Sequence, residues 1–142
     1  MRALLDVNVL IALHDANHAH HALASEWFIA HAAAGWASCP LTQNGVLRIM
    51  AHPSYSNPQP MSVLVAMLQA STQSAIHTFW PDDLSLLDAQ RFQHARIHSP
   101  KQLTDLYLLA LAVKHGGRLV SFDQRIPLSA VSDASSEHLV VL

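Results

Sequence analysis

Three aspartates occupy positions from which their carboxylates could act together. Asp6 ends the apolar stretch 3–5, and Asp123 ends the stretch 118–122 in the same way. Asp105 lies in the first turn of a predicted helix that is otherwise mostly apolar. If the two stretches are neighbouring strands of a parallel sheet, Asp6 and Asp123 project at the same edge, where open α/β sheets place their ligand crevice.

Carboxylates that share one crevice repel each other, so such a cluster is costly without a cation. Ligands that are all oxygen, with no histidine or cysteine among them, favour Mg²⁺ or Mn²⁺. A plainer role for Asp6 is to cap the helix that follows it, since aspartate is a favoured N-cap residue. At the level of the residues alone, both interpretations of Asp6 stay open.

The elements that would position these acids alternate between strands and helices along the chain. This order favours βαβ units and a mostly parallel sheet. We predict a single α/β domain over residues 1–142, a three-layer α/β/α sandwich with four or five strands and Asp6 on the central strand. The predicted strands are residues 3–5, 36–39, 75–80, 118–122 and 138–142, and the predicted helices are 9–13, 20–34, 42–50, 61–71, 85–96 and 105–115.

Local signals set two of these boundaries. Ser85 and Asp88 have the spacing of a capping box, which predicts the helix over 85–96. Thr104 is placed to cap the helix that begins at Asp105. The stretch 52–60 holds three prolines and is predicted to be a surface loop.

Composition excludes several classes of protein. Of 142 residues, 51% are hydrophobic and 13% are charged, so a disordered chain is excluded. The net charge of −2 gives no global basic signature, and any nucleic acid must be bound by a local patch or a metal. The single Cys39 excludes an internal disulfide and favours a reducing cytoplasm. We expect neither a signal peptide nor a membrane span, because the apolar runs are too short.

Four stretches of the chain together resemble the signature blocks of PIN-domain nucleases. They are residues 5–11 (LDVNVLI), 40–48 (PLTQNGVLR), 103–110 (LTDLYLLA) and 119–123 (LVSFD). Their order and spacing are those of the family, and the similarity is strongest to the VapC-type ribonuclease toxins of bacterial toxin–antitoxin pairs.

The resemblance implies a role for each matching residue. Asp6, Asp105 and Asp123 match acids that hold one or two Mg²⁺ or Mn²⁺ ions, whereas Thr104 and Ser121 match hydroxyl positions near the site. Asn8 matches the polar residue that follows the first acid. The implied activity is metal-dependent endonucleolytic cleavage of RNA, and the implied partners are a cognate antitoxin and a second copy of the chain.

The second block departs from the family pattern, because Gln43 stands where the family has a glutamate. An amide oxygen can still ligate a cation or hold a water, but it adds no charge and cannot act as a base. The alternative function is therefore a PIN-fold binding module with weak or absent nuclease activity. Arg48 either steadies Gln43, contacts phosphate, or is a solvated arginine on a helix face.

Two other groups of residues have alternative interpretations. His14, His18 and His21 are spaced along one helical face, which suggests a zinc site, but Asp15, Ala16 and Asn17 interrupt the helix between them. Most of the positive charge lies late in the chain, where it forms either an RNA-facing rim or a solvated face. These basic residues are Arg91, Arg96, Lys101, Lys114, Arg118 and Arg125.

Overall fold

Five parallel strands form the centre of the protein, as the computed structural model, which describes residues 1–142, shows. The strands are β1 (Ala3–Leu5), β2 (Trp36–Ser38), β3 (His77–Phe79), β4 (Arg118–Ser121) and β5 (Leu139–Val141). Their order across the sheet is β3-β2-β1-β4-β5, and every neighbouring pair is parallel. The strand that ends at Asp6 is therefore central, as predicted, and β4 is its neighbour.

Helices cover both faces of the sheet and complete the predicted three-layer architecture. They are α1 (Val7–His14), α2 (His21–His31), α3 (Pro40–Met50), α4 (Met61–Thr72) and α5 (Leu103–Lys114). None of them has the length and apolarity to cross a membrane.

The side chains of each strand alternate between the two faces of the sheet, so the hydrophobic core consists of two clusters. Leu4 of β1 packs with Leu108 of α5 in one cluster, whereas its neighbour Leu5 packs with Leu10 of α1 and Val46 of α3 in the other. Because successive side chains of a strand point to opposite faces, a three-residue strand of uniformly apolar residues serves both clusters. The continuous apolar run of β1 is thus explained by burial on both sides.

The predicted helix over residues 85–96 is wrong. The segment forms turns, because Ser85 Oγ accepts the N–H of Leu87 at 3.1 Å and Asp88 Oδ1 accepts the N–H of Gln90 at 2.9 Å. Such side-chain acceptors offer the backbone an alternative to a helical ladder. Only a single 3₁₀ turn forms, at the end of the segment.

Three helices begin earlier than predicted, and α1 does so at Val7 rather than at residue 9. α3 begins at Pro40 rather than Thr42, since proline is well suited to the first position of a helix. α5 begins at Leu103, so Thr104 lies inside the first turn and does not cap the helix. A 3₁₀ turn capped by Ser99, which accepts the N–H of Lys101, leads into α5 instead.

The proline-rich loop is fastened to the end of α1. The hydroxyl of Tyr55 donates to the carboxylate of Asp15, the residue at the C-cap of α1. Asp15 Oδ1 also accepts the N–H of Asn17 at 3.0 Å, and the resulting charge-stabilising contacts hold the pKa of Asp15 below its usual value. The loop is thereby held against the helix that follows the first acid.

A close approach between α1 and α3 sets the position of both helices. Gly45 of α3 lies over Val7, the residue after Asp6, and a Cβ added at Gly45 would lie 2.6 Å from Val7 Cγ2. Only glycine allows this approach, which brings α3 against the start of α1.

We expect Gly45→Ala to destabilise the protein by about 1–3 kcal/mol, the usual cost of overpacking a filled core. Helix propensity alone would give the opposite result, because alanine is favoured over glycine by about 1 kcal/mol in a helix interior. The matched control is Asn44→Ala, at an exposed position of the same helix, which should stabilise slightly. Urea unfolding measures both variants, and a stabilised Gly45→Ala would contradict the packing argument.

Candidate active site

Asp6 both caps α1 and faces the neighbouring strand. Its Oδ1 accepts the N–H of Val7 at 2.7 Å, and its Oδ2 accepts the hydroxyl of Ser121 at 2.9 Å. The residue is 7% exposed. The capping role and a place in a carboxylate site are therefore compatible, since each oxygen serves a different partner.

Ser121 connects two of the aspartates. Its hydroxyl oxygen accepts the N–H of Asp123 at 3.0 Å while its proton goes to Asp6. This contact depends on the parallel register of β1 with β4, in which Leu5 lies opposite Val120. The register places the carboxyl ends of the two strands side by side, so Asp6 and Asp123 lie at one edge of the sheet.

Asp105 approaches this pair from the first turn of α5. The pKa of Asp105 is raised from 3.8 to about 7, chiefly by burial of its carboxyl group and then by the charges of Asp6 and Asp123. A hydrogen bond with Asp123 adds to the effect. The three aspartates singled out in the sequence are therefore close enough to affect one another's ionisation.

Opposing effects act on the pKa of Asp6. Burial raises its pKa above 3.8, and the charge of Asp123 acts in the same direction, whereas the hydrogen bonds from Ser121 and Val7 lower it. Burial dominates, so the metal-free protein resists full ionisation of the cluster. No three His, Cys, Asp or Glu side chains lie close enough together to ligate a single ion directly.

Gln43 is held by a separate hydrogen-bond network. Its Nε2 donates to Ser38 Oγ at 3.0 Å, and the same oxygen lies 2.8 Å from His77 Nε2. Ser38 is 2% exposed, and burial lowers the pKa of His77 below 6.5. Gln43 makes its side-chain hydrogen bond to Ser38 and none to the three aspartates.

Three of the remaining predicted site residues, Asn8, Thr104 and Arg48, line three different surface depressions. Asn8 is exposed and shares a shallow depression with Asp123 and Arg125. Thr104 is exposed and lines a separate pocket next to Asp105. Arg48 lies in a surface cavity with Tyr55 and makes no hydrogen bond to Gln43, so of its three interpretations the structure gives no support to steadying Gln43.

Ser38 and Asp82 lie at the same edge of the sheet, although neither is among the predicted site residues. Ser38 is the last residue of β2, and Asp82 follows β3 after two residues. The available signal was similar to the one used for Asp6: a polar side chain at or shortly after the end of a strand that is predicted to be parallel.

The histidines do not assemble a zinc site. His14 bonds to the carbonyl of Leu10 at 2.7 Å and to Ser71 at 2.6 Å, and His21 Nδ1 bonds to the carbonyl of Ala12 at 2.7 Å. These ring nitrogens therefore form hydrogen bonds within the protein and do not meet at a shared metal site.

Two of the six basic residues are engaged in contacts within the protein. Lys114 pairs with Asp83 at 3.2 Å, and the guanidinium of Arg118 lies over the ring of Trp27 at 5.4 Å. Arg118 also begins β4, at the opposite edge of the sheet from the aspartates. Arg125, in contrast, is exposed beside Asp123.

A search of solved structures finds the same fold in VapC20 of Mycobacterium tuberculosis, described as a sarcin–ricin loop cleaving toxin. The two structures superpose with a TM-score of 0.62 over 87% of this chain and 92% of that one, at 15% sequence identity. At this identity the likeness concerns the fold alone.

Sequence comparison identifies much closer relatives. Ribonuclease VapC44 of Mycobacterium tuberculosis is 48% identical over 142 residues, which is 100% of both chains. Ribonuclease VapC39 of the same organism is 43% identical over 141 residues, covering 99% of this chain and 98% of the relative. The family model described as "PIN domain" matches residues 3–132. The chain therefore belongs to the PIN-domain family, as its four signature stretches suggest.

Proposed function

We propose that this protein is an endoribonuclease that requires Mg²⁺ or Mn²⁺ and acts as the toxin of a toxin–antitoxin pair. The observation that carries the proposal is the coupling of Asp6, Asp105 and Asp123 at the carboxyl edge of the sheet. The relatives named as ribonucleases match the chain from end to end, which supports RNA as the substrate.

The donor set fits a hard divalent cation. Three carboxylates and the amide of Asn8 offer oxygen ligands only. Burial is the main cause of the raised pKa of Asp105, and the charges of Asp6 and Asp123, which a cation would offset, add to it. Mg²⁺ is commonly held by one or two carboxylates together with waters and substrate phosphates. A site in which three carboxylates do not meet at a single point is compatible with that pattern.

A divalent cation bound here would supply Lewis-acid chemistry, lowering the pKa of a coordinated water and neutralising charge on the phosphodiester. The protein's own contribution is to hold the acids. Ser121 fixes one oxygen of Asp6 and the backbone of Asp123, while the start of α1 fixes the other oxygen of Asp6. Asn8 and Arg125 lie beside Asp123 on the surface, where they are accessible to RNA.

We further propose an antitoxin and a second copy of the chain as protein partners. The exposed apolar side chains are consistent with partner binding. Met61 and Val63 of α4 are each 50% exposed, next to the proline-rich loop, and Ile29 of α2 is 77% exposed. Such side chains are favourable places for burial against a partner.

The raised pKa of Asp105 predicts how the stability of the metal-free protein depends on pH. Between pH 3.8 and about pH 7 the carboxyl group of Asp105 is deprotonated in the unfolded chain but protonated in the folded chain. The free energy of unfolding therefore falls as pH rises through this range and then levels off. In EDTA, Asp105→Asn should therefore raise the free energy of unfolding at pH 8 by about 1–2 kcal/mol after solvent screening, and change it little at pH 4.

Thermal unfolding with Mn²⁺ and with EDTA completes this test. Mn²⁺ should raise the Tm of the wild type through linkage, and Asp105→Asn should weaken that rise. Glu26→Gln removes one negative charge from an exposed position on α2 and serves as the control, with an unchanged Mn²⁺ response. An Asp105→Asn variant that is no more stable than the wild type at pH 8 in EDTA would contradict the coupling.

Incubation of the purified protein with structured RNA tests the activity itself. Cleavage should occur with Mn²⁺ and stop with EDTA, and Asp6→Asn should reduce it by at least about 100-fold. Disturbing even an outer partner of a metal site costs about 10–100-fold, so loss of a ligand should cost no less. RNA that is bound but left intact under all conditions would instead favour the binding-module alternative.

Gln43→Glu tests whether the second block belongs to the site. A fourth carboxylate should tighten Mn²⁺ binding and raise cleavage, at a cost in metal-free stability because like charges converge. Gln43→Ala is the matched control, since it loses the bond to Ser38 without adding charge. Isothermal titration with Mn²⁺ gives the affinities. Equal affinities for the wild type and Gln43→Glu would place residue 43 outside the site.

A further inference from the structure

A second pocket lies beside the carboxylate cluster at the same edge of the sheet. It has a volume of about 370 Å³, with walls formed by Leu41, Leu84, Leu86 and Leu103 and with polar groups from Asp82, Thr104 and Tyr107. We propose that this pocket receives one unstacked base of the RNA, a guanine that flanks the scissile phosphodiester. The proposal rests on the ribonuclease function proposed above and adds a specificity determinant to it.

The pocket adjoins the cluster through α5. Thr104 lines the pocket, and the next residue is Asp105. Leu41 belongs to the first turn of α3, which follows β2, and Asp82 follows β3. The pocket therefore lies over the β2–β3 side of the carboxyl edge, whereas Asp6 and Asp123 lie over the β1–β4 side. A strand of RNA with a phosphate at the cluster would have a neighbouring base within reach of the pocket.

Asp82 presents a carboxylate whose orientation is fixed from two sides. Its Oδ1 accepts the hydroxyl of Tyr107 at 2.9 Å, and its Oδ2 accepts the N–H of Leu41 at 3.1 Å. A carboxylate has about four lone-pair sites, so each oxygen keeps capacity for another donor. Capping of α3 explains the hydrogen bond from Leu41 to Asp82, but it does not explain the second hydrogen bond, from the hydroxyl of Tyr107. The pair of anchors holds both oxygens in place before any ligand arrives.

An acceptor-only group of this shape selects among the bases. Guanine presents two adjacent donors, N1–H and N2–H, on its Watson–Crick edge, and they match the two oxygens of Asp82. Adenine and cytosine place an acceptor beside their amino group, and uracil places carbonyls on both sides of its single N–H. Single-stranded bases are commonly read on this edge with apolar or aromatic contacts to their faces. The four leucines supply those apolar contacts.

Competition cleavage of short single-stranded RNAs tests the proposal in the wild-type protein. With Mn²⁺, substrates that carry each of the four bases at each position flanking the cut should show a preference for guanine at one position, of roughly 10- to 100-fold, the range of a bidentate base contact. Inosine lacks the N2 amino group and should lose most of the preference at that position. 7-Deazaguanine keeps both donors and should retain it.

Variants then connect the preference with the pocket. Asp82→Asn replaces one acceptor oxygen with a donor, so it should abolish the discrimination between guanine and inosine and raise KM more than it lowers kcat. Asp88→Asn is the control, because Asp88 does not line the pocket, and it should keep the wild-type preference. Since the inosine comparison uses only wild-type protein, a misfolded variant would not remove the test.

The outcomes separate this proposal from the function on which it rests. Cleavage that is indifferent to guanine at every flanking position, or a guanine preference that survives either inosine or Asp82→Asn, overturns the base pocket and leaves the ribonuclease proposal standing. Failure to cleave any RNA overturns both. A preference lost with inosine and with Asp82→Asn, and retained with 7-deazaguanine, supports the pocket.

Discussion

The hydrogen bond from Ser121 to Asp6 joins the two strands on which the site depends. It forms only because β1 and β4 are parallel neighbours, so that the residues at their carboxyl ends lie side by side. The same serine accepts the backbone N–H of Asp123 and thereby sets the course of the chain as it leaves β4. Displacing β4 by a single residue would turn Ser121 to the other face and separate the two acids.

A carboxylate that is 7% exposed beside two others carries an electrostatic cost that the rest of the fold must offset. The structure offsets it by packing rather than by positive charge. α5 is buried along most of its length, and the approach of Gly45 to Val7 holds α3 against the start of α1. The helices that carry the polar groups are therefore anchored by apolar contacts away from the edge where the charges meet.

Much of the fold was predictable because burial on both faces leaves a simple signature in short parallel strands. Residues 3–5 and 119–120 are apolar and each run is followed by a polar residue, and the alternation with helices then gives the parallel sheet. The segment 85–96 was not predictable in this way, because Ser85 and Asp88 suit a turn and a helix cap equally well. Tertiary contacts decided between them, since Phe92 pairs with Val131 and is fully buried.

The three aspartates of the candidate site were found because each begins or ends an apolar element. Asp82 follows a strand too, but β3 is an edge strand of the sheet and half exposed, so its apolar signature is weak. The pocket that contains Asp82 depends on Leu84 and Leu86, and Leu86 lies in the segment 85–96, whose structure the sequence did not specify. An irregular chain leaves no periodic pattern from which its side chains can be placed.

The network around Ser38 explains how the fold accommodates glutamine at position 43. The amide donates to Ser38 Oγ, and the hydroxyl proton of Ser38 then has His77 Nε2 as its acceptor when His77 is neutral with its proton on Nδ1. A neutral His77 suits the lowered pKa that its burial causes. A glutamate carboxylate has no N–H, so it would accept a hydrogen bond from the hydroxyl of Ser38. His77 would then have to donate to Ser38 Oγ, which requires its proton to be on Nε2. Glutamine donates into this hydrogen-bond network and glutamate could only accept from it, so the two residues differ in hydrogen-bond direction as well as in charge.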